Sequence, residues 1–300
     1  MSTTTQTAPA SVAAHGALVD HPGSGKVLFF ASSGNSGATP IASTYTFDGT
    51  AYTKYTGVSP PPRLKHSMAH DGANVVLFGG KDHINYLGDC WSWTGTAWQK
   101  NTGVNPAGRE GHAMSYLSGS THIIMFGGKG QNGFSNESWV FTNAGGWVKQ
   151  NTVLSTPTAR VHSGIASSAA STILFGGYHM GGYLQDTFSW NGTAWTRLNP
   201  TTKPSARAEC SMAYDTVNSQ YVMFGGKDNA NVYSDTWVYV NNNWVLKTMP
   251  ISATPPARSG ASLAFDSTRN QITLFGGYNQ HDALNDTWVL NAGTTGWTQL

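Results

Sequence analysis

The stretch Arg63–Trp98, RLKHSMAHDGANVVLFGGKDHINYLGDCWSWTGTAW, contains one complete structural period of this chain. It opens with a small, largely apolar run, His66–His70, that turns at Asp71-Gly72 into the β-branched run Val75–Phe78. Gly79-Gly80 stops that run, as glycines stop strands. After the polar loop Lys81–Gly88, Trp91 and Trp93 alternate with period two, which places both rings on one face of a strand. Thr94-Gly95 then turns the chain into a further strand headed by Trp98. The pattern predicts four short antiparallel strands and no helix.

The same period recurs. Phe-Gly-Gly begins at Phe78, Phe126, Phe175, Phe224 and Phe275, with a degenerate copy, Phe29-Phe30-Ala31, upstream. Successive copies lie 48 to 51 residues apart, so six units fill the 300 residues. The expected organisation is one domain, 1–300, with blades at about 9–58, 59–104, 105–154, 155–202, 203–252 and 253–300. Third-strand aromatics recur as Trp139/Phe141, Phe188/Trp190 and Trp237/Tyr239, and fourth strands open at Tyr52, Trp98, Trp147, Trp195, Trp244 or Trp297. A small sheet cannot bury such rings alone, whereas a closed ring of six sheets buries them all. The repeat also explains 35 glycines and only 11% charged residues.

With 17 Lys+Arg against 15 Asp+Glu, the formal charge of +2 excludes a domain-wide basic field for nucleic acid. No apolar run is long enough to span a bilayer, and the first twenty residues lack the pattern of a signal peptide. The expected location is therefore cytoplasmic by default, with a virion or non-classically exported surface location as the alternative. Cys90 and Cys210 fall in opposite blades, beyond the reach of a disulfide.

The Arg–His strand starts (Arg63…His66, Arg109…His112), the double glycine and the sets Asp89-Cys90-Trp91, Asp235-Thr236-Trp237 and Asp286-Thr287-Trp288 carry a resemblance. Over essentially its whole length the chain resembles the kelch-repeat β-propeller family. The resemblance implies an all-β, six-bladed propeller with four antiparallel strands per blade. It also implies that first strands line a central channel and that ligands bind at one channel mouth, among the loops joining strands two and three and those joining successive blades.

The implied ligand-binding candidates are Arg63, Arg109, Arg160, Arg207 and Arg258, and, just after the double glycines, Lys81, Lys129, Tyr178, Lys227 and Tyr278. His83, His179 and His281 in the adjoining loops join them. In the family the Arg position clamps backbone carbonyls between blades. Five guanidiniums near one axis would otherwise form a positive mouth needing nearby carboxylates, and Glu110 and Glu209 are the internal candidates. Were the chain an enzyme, the same two glutamates, or a His, would move protons. His15, His66 and His112 share one repeat position, but equivalent positions around a six-bladed channel lie too far apart for metal bonds of ~2.1 Å. No metal and no cofactor is expected.

Packing does not explain departures from the repeat, so they point to function. Blade one departs most: Val12 replaces the Arg, Phe30-Ala31 the double glycine, and Tyr45/Phe47 the Trp pair, while its loop Ser32–Ser43 is long enough to rim the channel. The chain starts before a first strand and ends within a fourth, so blades one and six should meet by face packing. The function expected is non-enzymatic recognition of a glycan or protein partner, with an anionic ligand at the mouth, as in a surface-exposed or virion component. The alternatives are a small-molecule enzyme similar to the family's sialic-acid mutarotase and a scaffold within a larger assembly.

Overall fold

The computed structural model describes residues 5–6, 16–31, 40–151 and 156–300. They form six antiparallel blade sheets in sequence order, five of four strands and blade one of five, with two small loop sheets besides and without α-helix among the described residues. Blade two gives the plan: Ser67–His70, Val75–Phe78, Cys90–Trp93 and Trp98–Asn101 pair in turn. Val75–Phe78 is buried at every position, as its unbroken apolar run requires of a strand covered on both faces. In the outermost strand Trp98 is buried, while Gln99 and Lys100 are exposed. The first strands, Ala17–His21, Ser67–His70, Ala113–Leu117, Gly164–Ser167, Ser211–Asp215 and Ser262–Asp266, touch their neighbours in a closed circle around the axis.

The hydrophobic core is divided among the blade interfaces. Val19, Leu28 and Phe30 of blade one pack with Met68, Leu77, Trp93 and Trp98 of blade two, and five comparable clusters occupy the other interfaces. Five of the six fourth-strand aromatics, all but Trp147, also bond to the third strand of the preceding blade around the ring. The indole N–H groups of Trp98, Trp195, Trp244 and Trp297 donate to Thr44, Ser138, Thr187 and Thr236 hydroxyls at 2.9–3.0 Å. Cys90 occupies the same slot beneath Trp147, which explains a buried thiol whose pKa is raised first by burial.

The ring closes by face packing, as the phase of the repeat predicts. Phe29 and Phe275 meet edge to face at 4.8 Å, and the hydroxyls of Tyr52 and Thr287 lie 3.1 Å apart. Thr5–Gln6 adds a fifth strand to the outer edge of blade one, beside Tyr52–Lys54, and takes no part in blade six. Val12, His15 and most of the Ser32–Ser43 loop lie outside the described residues.

A backbone hoop runs around the loop-rich mouth. The residue two places after each repeat Arg has left-handed φ: Lys65 at 55°, Gly111 at 65°, His162 at 57°, Glu209 at 58° and Gly260 at 60°. In this conformation the N–H groups of the last four reach the equivalent carbonyl of the preceding blade: Gly111 to Lys65 (2.9 Å), His162 to Gly111 (2.7 Å), Glu209 to His162 and Gly260 to Glu209 (both 2.9 Å). The double glycines have an equally local cause. Gly80 has φ 97° and donates to Arg109 O at 2.8 Å, and a Cβ there would lie 2.7 Å from Leu64 O.

Candidate functional site

The five repeat arginines are buried clamps within their own blades. Arg63 Nε donates to Pro61 O, its Nη1 to Gly79 O, and Nη1 and Nη2 to the two Asp89 carboxylate oxygens at 2.7 Å each. Arg160, Arg207 and Arg258 engage Asp186, Asp235 and Asp286 in the same bidentate way, and Arg109 takes Glu137 at 2.6 Å. Indole N–H groups of Trp91, Trp237 and Trp288 bind the same carboxylates, so Asp-x-Trp is one half of the clamp. Burial alone would raise the Asp89 and Asp286 pKa values, but hydrogen bonds and charge from Arg63 and Arg258 outweigh it and hold them below the ordinary range. For Glu137 the balance of burial against Lys149, Arg109 and Trp139 ends at about 2.

This arrangement corrects two expectations. The arginines do not form an open positive mouth, because none of them lines either cavity there. Glu110 and Glu209 do not neutralise them. Instead Glu209 pairs with Lys227 at 3.1 Å and Glu110 lies 3.9 Å from Lys65.

The mouth is built from the hoop and two loop ribbons. Blades two, five and six close their loops by capping turns, in which Asp82, Asp228 and Asn279 side chains accept from backbone N–H groups two and three residues on. Blades three and four form small hairpins instead. Lys129–Gly130 pairs with Gly133–Phe134, and Tyr178–His179 with Gly182–Tyr183. These ribbons raise Phe134, Tyr178 and Tyr183 as an aromatic wall, the two tyrosine rings meeting edge to face at 5.3 Å.

Between that wall and the hoop lies an open cavity of about 340 Å³. Lys65, Lys129 and Lys227 line it together with Glu110 and Glu209, which leaves one positive charge in excess, with His162 beside them. Lys129 has no carboxylate partner among the described residues and stands 5.6 Å from the Phe134 ring centroid. Burial, first among the causes, raises the Tyr183 pKa, and Lys227 opposes the shift. A smaller cavity of about 150 Å³ continues down the axis, lined by Lys65, His66, His112, His162, Glu209 and Cys210 among others. Burial is the main cause that lowers His66 well below the ordinary range and His112 to about 3, so both rings stay neutral at physiological pH. They pack edge-on against Phe30 and Phe78. Among the described residues no group of three or more His, Cys, Asp or Glu is placed to hold a metal.

The cavity therefore brings together Lys129, Tyr178, Lys227, Glu110 and Glu209 from the sequence-derived set. His179 stands behind Phe134 at 6.4 Å. Lys81 lies over Tyr86, Tyr278 bonds to the carbonyl of His281, and His83 and His281 are exposed on their capped turns, all outside the cavity. Sequence reading missed Lys65, His162, Phe134 and Tyr183. The signal was available: Lys65, His162 and Glu209 stand where Gly111 and Gly260 show the repeat's left-handed requirement, at a backbone cost of about 1 kcal/mol for a non-glycine residue.

Comparison with known proteins agrees with the geometry. The model for the KLHDC2/KLHL20/DRC7 Kelch-repeats domain matches residues 92–239 and 191–300, which together span more than half of the chain. The solved structure described as "Structure of YjhT" superposes with a TM-score of 0.74 at 15% identity, covering 98% of each chain. At that identity the likeness concerns the fold. No curated protein sequence matches.

Proposed function

The chain belongs to the kelch-repeat family, and from that premise we propose that it is a binding propeller whose loop-face mouth recognises a glycan carrying an acidic group. The observation that carries the reading is the 340 Å³ cavity, in which Lys65, Lys129 and Lys227 face an aromatic wall of Phe134, Tyr178 and Tyr183. Aromatic faces suit the apolar side of a sugar ring, and a surplus lysine suits one carboxylate. The volume falls within the usual range for small-molecule sites. A non-glycine residue at three left-handed hoop positions favours the same reading, because strain kept at a mouth is strain that packing does not require.

The test is a calorimetric and thermal-shift titration of glucuronate and N-acetylneuraminate against glucose and N-acetylgalactosamine. Acidic sugars should bind preferentially, and at a hundredfold excess over Kd should add about 2.7 kcal/mol of stability. Lys129→Ala and Tyr178→Ala should weaken them with folding retained. Equal affinity for acidic and neutral sugars, or none for either, would remove the reading.

A second reading rests on Glu209, whose side chain is only 9% exposed and lies against Lys227 inside a sugar-sized cavity. A carboxylate so placed could move a proton on a bound sugar. Accelerated anomer exchange by NMR, abolished in Glu209→Gln, would convert the binder into an enzyme.

A further inference from the structure

The channel has a second cavity at its opposite end, of about 430 Å³. Its floor is contributed by the second residue of each first strand: Leu18, Met68, Met114, Ile165, Met212 and Leu263. No residue lines both this cavity and the small axial one at the loop-rich mouth. Two places further along the same strands stand Asp20, His70, Tyr116, Ser167, Tyr214 and Phe265, which form the walls.

The wall chemistry is one-sided. Among the described residues no Lys or Arg lines the cavity. Asp20 Oδ1 is buried and accepts no hydrogen bond, while the carboxylate's contacts are with Ser267, whose N–H reaches Oδ2 at a long 3.3 Å. Burial raises the Asp20 pKa, the Ser267 bonds offset it in part, and the like charge of Asp266 adds to it. Arg269, on the loop beyond Asp266, is already committed to Asp266 Oδ2 at 2.8 Å and to Gly25 O. His70 packs 4.4 Å from the Tyr116 ring, and burial pushes its pKa down to about 4, so it supplies no positive charge near neutrality.

We infer that this cavity binds a small organic ammonium ion carrying an apolar body. The aliphatic floor takes the body, and the faces of Tyr116, Tyr214 and Phe265 together with the poorly solvated Asp20 carboxylate take the cation. An anion would meet Asp20 with no base to compensate. A neutral ligand would gain the floor alone.

Phenethylammonium, 2-phenylethanol and 3-phenylpropionate have similar bodies and different charge, and each is titrated into the whole protein by calorimetry, with ligand-observed NMR as a second readout. The ammonium should bind about tenfold more tightly than the alcohol, the carboxylate least, as for a partly desolvated charge pair. Asp20→Asn should bring ammonium and alcohol to similar affinity. Ser118→Arg, at an exposed rim position, should weaken the ammonium and spare the alcohol. Circular dichroism melts establish folding of both variants. Equal binding of all three probes, no binding at millimolar concentration, or a charge preference unchanged in both variants overturns the inference.

Discussion

At one end of the channel, three lysines, two glutamates and an aromatic wall surround a cavity rimmed by loop hairpins; at the other, an aliphatic ring and three aromatics surround a lone carboxyl. The same six first strands build both ends. What differs is how strictly the repeat governs them. The clamps of blades two to six and the inter-blade rings must satisfy the same packing from blade to blade, so they vary little. The mouths lie beyond those clamps, where a residue is constrained only by backbone conformation and its neighbours on the rim. Binding chemistry can therefore differ between the two ends without any change of fold.

The largest effects should come from changes that strike both ends together. Trp244 is fully buried between blades four and five, and Trp244→Ala should cost about 3–5 kcal/mol in urea unfolding. Both ligand preferences should weaken in proportion to the unfolded fraction. A loss at one end alone would break the idea of a shared scaffold.

Next in size is the clamp. Arg207→Ala removes the Arg207 bond to the Gly225 carbonyl and both Arg207 bonds to Asp235, which keeps the Trp237 indole N–H, and because Asp235 is partly exposed the cost should be about 2–3 kcal/mol. Stability should fall while the preference for acidic sugars stays, which separates a structural arginine from a ligand-binding one. Acid acts on three other clamp carboxylates, Glu137, Asp89 and Asp286. Their folded pKa values are depressed, so their contribution is complete above the unfolded values and is lost as pH falls through the folded ones. For Glu137 that window runs from 4.5 to about 2, and melting temperature should drop across it, with Asp89 and Asp286 contributing in the same direction.

The smallest effect is the most informative about the mouth. Lys65→Gly removes a side chain from a left-handed position and should raise stability by about 0.5–1 kcal/mol in thermal unfolding. The same variant should weaken binding of acidic sugars and leave the opposite cavity unchanged. A stability loss would mean that the Lys65 side chain serves packing.

The fold was legible because each signal came several times over. Phe-Gly-Gly recurs in five blades, the Arg-carboxylate pair in the same five, and the fourth-strand Trp wherever those blades meet a neighbour, and even blade one, with Tyr52 in place of Trp, keeps its hydrogen bond across the seam. The site was legible only in part. Lys129, Tyr178 and Lys227 follow the double glycine and can be found by counting. Lys or Tyr at that position does not sort the loops, since blades three and four share ribbons although one carries Lys129 and the other Tyr178. The deciding residues were Gly130/Gly133 and Gly181/Gly182 in the ribbons, against Asp82, Asp228 and Asn279 in the capped turns. Lys65 and His162 were hidden because their significance lies in φ, which shows in sequence only by contrast with Gly111 and Gly260.

Titration of glucuronate and glucose against the protein and against Lys129→Ala tests the central claim most directly. The account predicts that glucuronate binds more tightly than glucose and that the difference disappears in Lys129→Ala without change in melting temperature. A glucuronate preference that survives Lys129→Ala, or is absent from the unaltered protein, would contradict it.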